Sequence, residues 1–260
     1  MRVVTDDNVG LNAEIVGPDQ APCILLMHSI GCDLTLWDPQ VAALADSFRL
    51  VRFDARGHGR SDVPHGDYSA ERLGRDALAV LDAAGVEQAF LCGLSLGGTT
   101  SQWLALNAPG RVDGMILANT AARIGSAEAW QARGDAALAQ GMAALADTAI
   151  SRFFADGFRA AEPETVAMFY RTLLSTAPEG YAGCCAVLRD ADFAPELGRI
   201  SVPTIVVAGR LDIPIPVIQA EALAAGIPGA RLVVLEAGHL SNVEQPAAFT
   251  DAIRRIREIA

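Results

Sequence analysis

Short apolar runs recur along the first half of the chain, each followed by a longer stretch patterned as a helix. Ala13–Val16, Cys23–Met27, Leu50–Phe53, Ala89–Cys92 and Val112–Ala118 have the length and composition of strands. Between them, Trp37–Ala45, Glu71–Ala84 and Leu96–Asn107 read as helices. Gly85 closes the second of these and Pro109 stops the third. The pattern resumes late, with strands at Thr204–Ala208 and Leu232–Leu235 and helices at Ile215–Ala225 and Gln245–Ile259. Strands that are apolar along most of their length are buried on both faces. The alternation therefore predicts an α/β fold with a mostly parallel central sheet and helices on both faces.

Residues 121–198 break the rhythm. They are rich in Ala, Arg, Glu and Met and carry few strand signals. This segment reads as a helical cap inserted into a core made of residues 1–120 and 199–260. Such an insertion belongs over the carboxyl ends of the strands, where open α/β sheets bind ligands.

Composition narrows the function. Apolar residues make up 51% of the 260, enough for a sizeable core, and the formal net charge is −11. The acidic balance argues against a nucleic-acid partner. All 20 basic residues are Arg, which excludes a Schiff-base lysine and a phosphate-loop lysine. The five Cys are odd in number, form no C-x-x-C pair and suit reduced, buried thiols in a cytoplasmic protein. The acidic N-terminus has no long apolar stretch, so no signal peptide is expected, and no run is long enough for a membrane span.

The chemistry centres on Gly93-Leu94-Ser95-Leu96-Gly97-Gly98, which follows an apolar strand and opens a helix. Gly-x-Ser-x-Gly in that setting is a nucleophile elbow: a sharp turn that exposes a serine hydroxyl at the sheet edge. The bland alternative is a Gly-rich turn with a capping serine. A catalytic serine needs a base. Of His28, His58, His65 and His239, only His239 follows Ser95, as the order Ser, acid, His requires. Asp212 closes the run that begins at Thr204 and is the candidate acid, with Asp190 and Asp192 as alternatives; its other reading is a simple helix cap. The backbone N–H of Leu96, and that of Ile30 in the loop after Cys23–Met27, are the candidate oxyanion donors. Asp54–Asp62 lacks a Gly-Lys-Ser/Thr and reads as a structural turn held by Asp54 and Arg56. His28 reads as a structural histidine at a strand end. No cluster has metal-ligand spacing, and no cofactor is expected.

Taken together, these residues resemble the α/β-hydrolase superfamily over essentially the whole chain. Several segments are similar to 3-oxoadipate enol-lactonases: Ser29–Trp37, Arg56–Pro64, Cys92–Gly98, Leu117–Gly125, Gly180–Ala186 and His239–Pro246. His28 and the weakly polar Arg210–Pro216 depart from that pattern. The resemblance implies hydrolysis of an anionic enol-lactone to 3-oxoadipate, through an acyl-enzyme on Ser95, in the bacterial breakdown of catechol and protocatechuate.

A carboxylate on the substrate calls for a local cation in this acidic chain. The insertion offers Arg123, Arg133, Arg152, Arg159, Arg171, Arg189 and Arg199. Arg133, three residues after Trp130 and so on the same helix face, is the candidate anchor, with Trp130 packing on the substrate ring; the alternative is a solvated Arg and a core Trp. Two other readings share the same residues. One is a carboxylesterase or carbon–carbon bond hydrolase using the same triad; the other is a non-catalytic ligand receptor on this fold.

Overall fold

The computed structural model describes residues 1–259. Its sheet has eight strands: β1 (Arg2–Val4), β2 (Gly10–Val16), β3 (Cys23–Met27), β4 (Arg49–Phe53), β5 (Ala89–Leu94), β6 (Val112–Ala118), β7 (Thr204–Gly209) and β8 (Arg231–Leu235). The spatial order is β1-β2-β4-β3-β5-β6-β7-β8. β1 and β2 join antiparallel, and all pairings from β4 to β8 are parallel. The helices are α1 (Asp38–Leu44), α2 (Ala70–Ala83), α3 (Leu96–Asn107), α4 (Ala127–Gln140), α5 (Ala143–Phe153), α6 (Asp156–Ala161), α7 (Pro163–Ser175), α8 (Pro178–Asp190), α9 (Val217–Gly226), α10 (Ser241–Glu244), α11 (Pro246–Arg254) and α12 (Ile256–Ile259).

Period-two alternation within the apolar strands builds the two sides of the core. Ile24 and Leu26 of β3, Phe90 and Cys92 of β5, and Ile205 and Val207 of β7 face one cluster, which α1, α11 and residues of α4, α5, α7 and α8 complete. Cys23, Leu25 and Met27, Leu91, and Val206 and Ala208 face the other, covered by α2, α3 and α9. β3, β5 and β7 are buried along their whole length, which is why they lack polar alternation in sequence. The α2 helix is started by Ser69, whose side chain accepts from the Arg72 N–H, and it buries Leu73, Ala77, Val80 and Leu81.

Three elements differ from the sequence expectation. β1 is only three residues long, with a single buried side chain, so its pattern is too short to register. The helix expected at Ile215 begins at Val217, because Pro216 sits extended before it and the Ile215 N–H is taken by Asp212. The helix expected over Gln245–Ile259 starts at Pro246 as α11 and breaks before α12; Gln245 is non-helical at φ −129.

Helices α4 to α8 all fall between β6 and β7, on the side of the sheet that carries the strand carboxyl ends. α4 and α8 pack closely there, Gly134 lying against Ala182 and Cys185. Among the described residues, no helix is long and apolar enough to cross a membrane.

Candidate active site

β5 ends at Leu94 and α3 begins at Leu96, so Ser95 alone makes the turn between them. Its backbone sits at φ 56, ψ −110, a left-handed conformation that a side-chain-bearing residue rarely adopts. The Ser95 N–H donates to Ala118 O at 2.9 Å, and Ser95 O accepts from the Thr120 hydroxyl at 3.0 Å; both bonds hold the strained turn. The flanking glycines are there for space. A Cβ on Gly93 would lie 2.2 Å from Gly97 O, and one on Gly97 would lie 2.1 Å from Met27 O. The first turn of α3 then presents its N–H groups and the positive end of its dipole beside the serine.

Ser95 and His239 line one cavity of about 140 Å³, together with Ile30, Trp130, Arg133 and Arg152. His239 lies in the loop after β8. Its Nδ1 is 2.9 Å from Asp212 Oδ2, and both residues are buried. A carboxylate can only accept, so Nδ1 carries the hydrogen and Nε2 is left as the acceptor nitrogen. Asp212 follows β7, and its Oδ1 accepts from the Ile215 N–H at 2.9 Å. The expected helix-cap contact and the contact to His239 are thus made by different oxygens of one carboxylate. Asp190 and Asp192 are not brought near His239; they pair with Arg189 and Arg123 at the surface.

Sequence reasoning assigned no role to Asn119. Its Nδ2 donates to Asp212 Oδ2 at 2.9 Å and to Gly238 O at 3.2 Å, and its Oδ1 accepts from the Ser241 hydroxyl at 2.5 Å. Asn119 therefore ties the loops after β6, β7 and β8 together directly behind His239. Its φ of 46 is a conformation Asn tolerates better than most residues.

The loop after β3 carries Ile30, and two histidines brace it. His28 Nε2 accepts from the Ala55 N–H at 2.9 Å, so its Nδ1–H donates to Ser29 O at 2.7 Å. His58 Nε2 accepts from the Gly31 N–H at 2.9 Å. Burial, helped by the neighbouring His28, pushes the His58 imidazole down to about 3, so it remains a neutral acceptor. Among the described residues, neither the Ile30 nor the Leu96 N–H is engaged in another hydrogen bond, which leaves both free for an oxyanion. Asp54 holds the adjoining turn as expected, accepting from the N–H groups of Leu34 and Arg60. Arg56 acts elsewhere in it, through two bonds to buried Asp76.

Residues of α4 and α5 line the other side. The Arg133 guanidinium carbon lies 5.3 Å from the Trp130 ring centroid and 5.5 Å from that of Tyr181, and it has no acidic partner among the described residues. The Trp130 indole N–H donates to Ile124 O at 2.5 Å, which fixes that ring. The Phe153 ring stacks on His239, with centroids 6.3 Å apart. Of the other cap arginines, Arg123, Arg159, Arg189 and Arg199 pair with acids and Arg171 does not line the cavity.

All five cysteines are free and buried. Burial raises the Cys184 thiol well above its usual range and the Cys185 thiol to about 12, so neither is a ready nucleophile. Among the described residues, no group of three or more His, Cys, Asp or Glu is placed to hold a metal ion.

Residues 22–246 match the family model of the alpha/beta hydrolase fold. The chain is 42% identical to 3-oxoadipate enol-lactonase 2 of Acinetobacter baylyi, over 97% of this chain and 95% of that one. It superposes with a TM-score of 0.97 on the crystal structure of the enol-lactonase from Burkholderia xenovorans LB400, at 40% identity, covering 99% of this chain and 100% of that one. A thermophilic esterase from Thermogutta terrifontis, solved with malate bound, follows at a TM-score of 0.94 and 30% identity, covering 100% of this chain and 98% of that one.

Proposed function

The chain belongs to the α/β-hydrolase family, within it to the 3-oxoadipate enol-lactonases, and on that premise we propose that it opens 3-oxoadipate enol-lactone to 3-oxoadipate by acyl transfer through Ser95. Residues 121–198 act as the cap that shapes the site, over a core of residues 1–120 and 199–260.

Ser95 Oγ passes its proton to His239 Nε2 and attacks the lactone carbonyl carbon. Asp212 keeps the imidazole in the tautomer that can accept that proton, and it stabilises the imidazolium that results. The developing oxyanion is met by the N–H groups of Ile30 and Leu96. As the ring C–O bond breaks, the imidazolium returns the proton to the enol oxygen, and the enol becomes the ketone. Water, deprotonated by His239, then attacks the acyl-enzyme and releases Ser95. The substrate carboxylate pairs with Arg133 while Trp130 packs on the ring. One observation carries the substrate class: an arginine without an acidic partner, beside two aromatic rings, lines the cavity that holds Ser95 and His239. The free buried thiols support work in a reducing compartment such as the cytoplasm.

The likeness to the thermophilic esterase supports a second reading, simple ester hydrolysis at the same triad. Steady-state turnover of the enol-lactone, generated in situ, beside neutral aryl esters separates the two. A strong lactone preference that vanishes in Ser95→Ala is expected. Turnover of aryl esters alone would leave the triad standing and remove the lactonase reading.

A further inference from the structure

Two guanidinium groups, not one, open into the cavity without a carboxylate partner. Besides Arg133, Arg152 lines it, from the last turn of α5, and it makes no ion pair among the described residues. Two arginines without a carboxylate partner in one small cavity make a local cationic site in a chain whose net charge is −11. Elsewhere in the cap, Arg159 is taken by Asp156, Arg189 by Asp67 and Asp190, and Arg199 by Glu196.

Two like charges facing a cavity of about 140 Å³ repel, and an anion entering the cavity relieves the repulsion. A substrate with a single carboxylate satisfies one of them. Hydrolysis of the acyl-enzyme makes the second negative charge: over the whole reaction the lactone monoanion and one water become a dicarboxylate dianion and a proton. The new carboxylate is formed from the acyl carbon held on Ser95. Arg152 lines the cavity that holds Ser95 and His239, and its neighbour in the chain, Phe153, has its ring stacked on His239. Arg133 lines it from a different helix, α4, beside the rings of Trp130 and Tyr181.

We propose that Arg152 receives the carboxylate created by the reaction, so that the cavity is a dicarboxylate site in which Arg133 holds the other carboxylate. This rests on the lactonase reading for its physiological ligand, but not for its test. The bland role for Arg152 is a cation placed favourably at the C-terminal end of α5. That role would affect thermal stability without discriminating between acids.

The test uses adipate and hexanoate, chains of equal length with two carboxylates and one, as inhibitors of neutral aryl acetate hydrolysis. Wild type should bind adipate about tenfold or more tightly than hexanoate. Arg152→Gln should remove most of that preference while the hexanoate constant moves less than about twofold. Arg152→Lys should keep part of the preference, and Arg159→Gln, in which a cap cation paired with Asp156 is lost, should keep all of it. A wild type without the preference, or an Arg152→Gln variant that retains it, overturns the proposal. Lactone turnover, measured separately, decides the lactonase reading, so the two failures are distinct.

Discussion

Asn119 and His239 share one oxygen atom, Asp212 Oδ2, which lies 2.9 Å from the Asn119 amide nitrogen and 2.9 Å from the imidazole Nδ1. With Oδ1 held by the Ile215 N–H, the carboxylate has no freedom to rotate, and the imidazole plane is fixed with it. Asn119 is thus a positioning residue that acts through Asp212. Asn119→Ala should lower kcat by about 10–100-fold with little change in KM, since orientation rather than substrate affinity is lost. Asn119→Asp should be worse, because it sets a second negative charge against Asp212. Steady-state kinetics on variants of wild-type melting temperature check this. A kcat within about twofold of wild type in Asn119→Ala would remove the positioning role.

His58 predicts a pH dependence of stability. Its imidazole is pushed down to about 3 in the folded protein, against 6.5 when unperturbed. Between those values the unfolded chain binds a proton that the folded chain does not. Stability therefore falls as pH drops through this window, by up to about 1.4 kcal/mol per pH unit from this group. His58→Gln keeps an acceptor for the Gly31 N–H but does not titrate. Urea unfolding from about pH 6 to about pH 4 should show a shallower loss in the variant. Equal slopes would mean that His58 takes up its proton without unfolding.

Arg56 and Asp76 form a buried pair with two bonds, of 2.6 and 2.7 Å, that ties the turn after β4 to α2. Arg56→Met leaves the buried Asp76 carboxylate with only Arg72, 3.3 Å away, in place of its two short bonds and should cost about 3 kcal/mol. Replacing both partners, as in Arg56→Met/Asp76→Leu, should recover much of that loss, because the cost lies in the stranded charge. Arg56 also holds the Asp7 carboxyl down to about 2, so in Arg56→Met that group should titrate nearer its ordinary range. Chemical denaturation and NMR titration of Asp7 check the two effects. Single and double variants of equal stability would contradict this account.

The elbow was legible because its signal is local: an apolar strand, Gly-x-Ser-x-Gly and a helix lie within one short stretch of chain. That Asp212 and His239 would meet was legible through chain order and their places after β7 and β8. Asn119 was not, because a single Asn after a strand carries no periodic signal. Its importance arises only when β6 pairs with β7 and its own N–H bonds to Val207 O. The cap was legible as helical, but its arginines could not be sorted from sequence alone. The spacing of three joined Trp130 to Arg133 on one helix face. That Arg152 shares their cavity depends on how α5 lies against α4, which no local pattern encodes.

Arg133 is the residue whose replacement should separate anionic from neutral substrates. Its guanidinium lies close to the rings of Trp130 and Tyr181 and has no carboxylate partner among the described residues, so its N–H groups remain for an anionic ligand. Arg133→Gln should lower kcat/KM for the enol-lactone by about 100-fold, mostly through KM, since a charge-assisted bidentate pair is worth roughly 2–3 kcal/mol. A neutral aryl ester makes no such pair and should lose far less. Arg133→Lys should fall between, because an ammonium keeps the charge but lacks the planar fork and stacks poorly on the two rings. Trp130→Ala should move the lactone in the same direction as Arg133→Gln by freeing the guanidinium from its seat. Parallel losses for lactone and neutral ester in Arg133→Gln would show that Arg133 supports the cap fold rather than the substrate carboxylate.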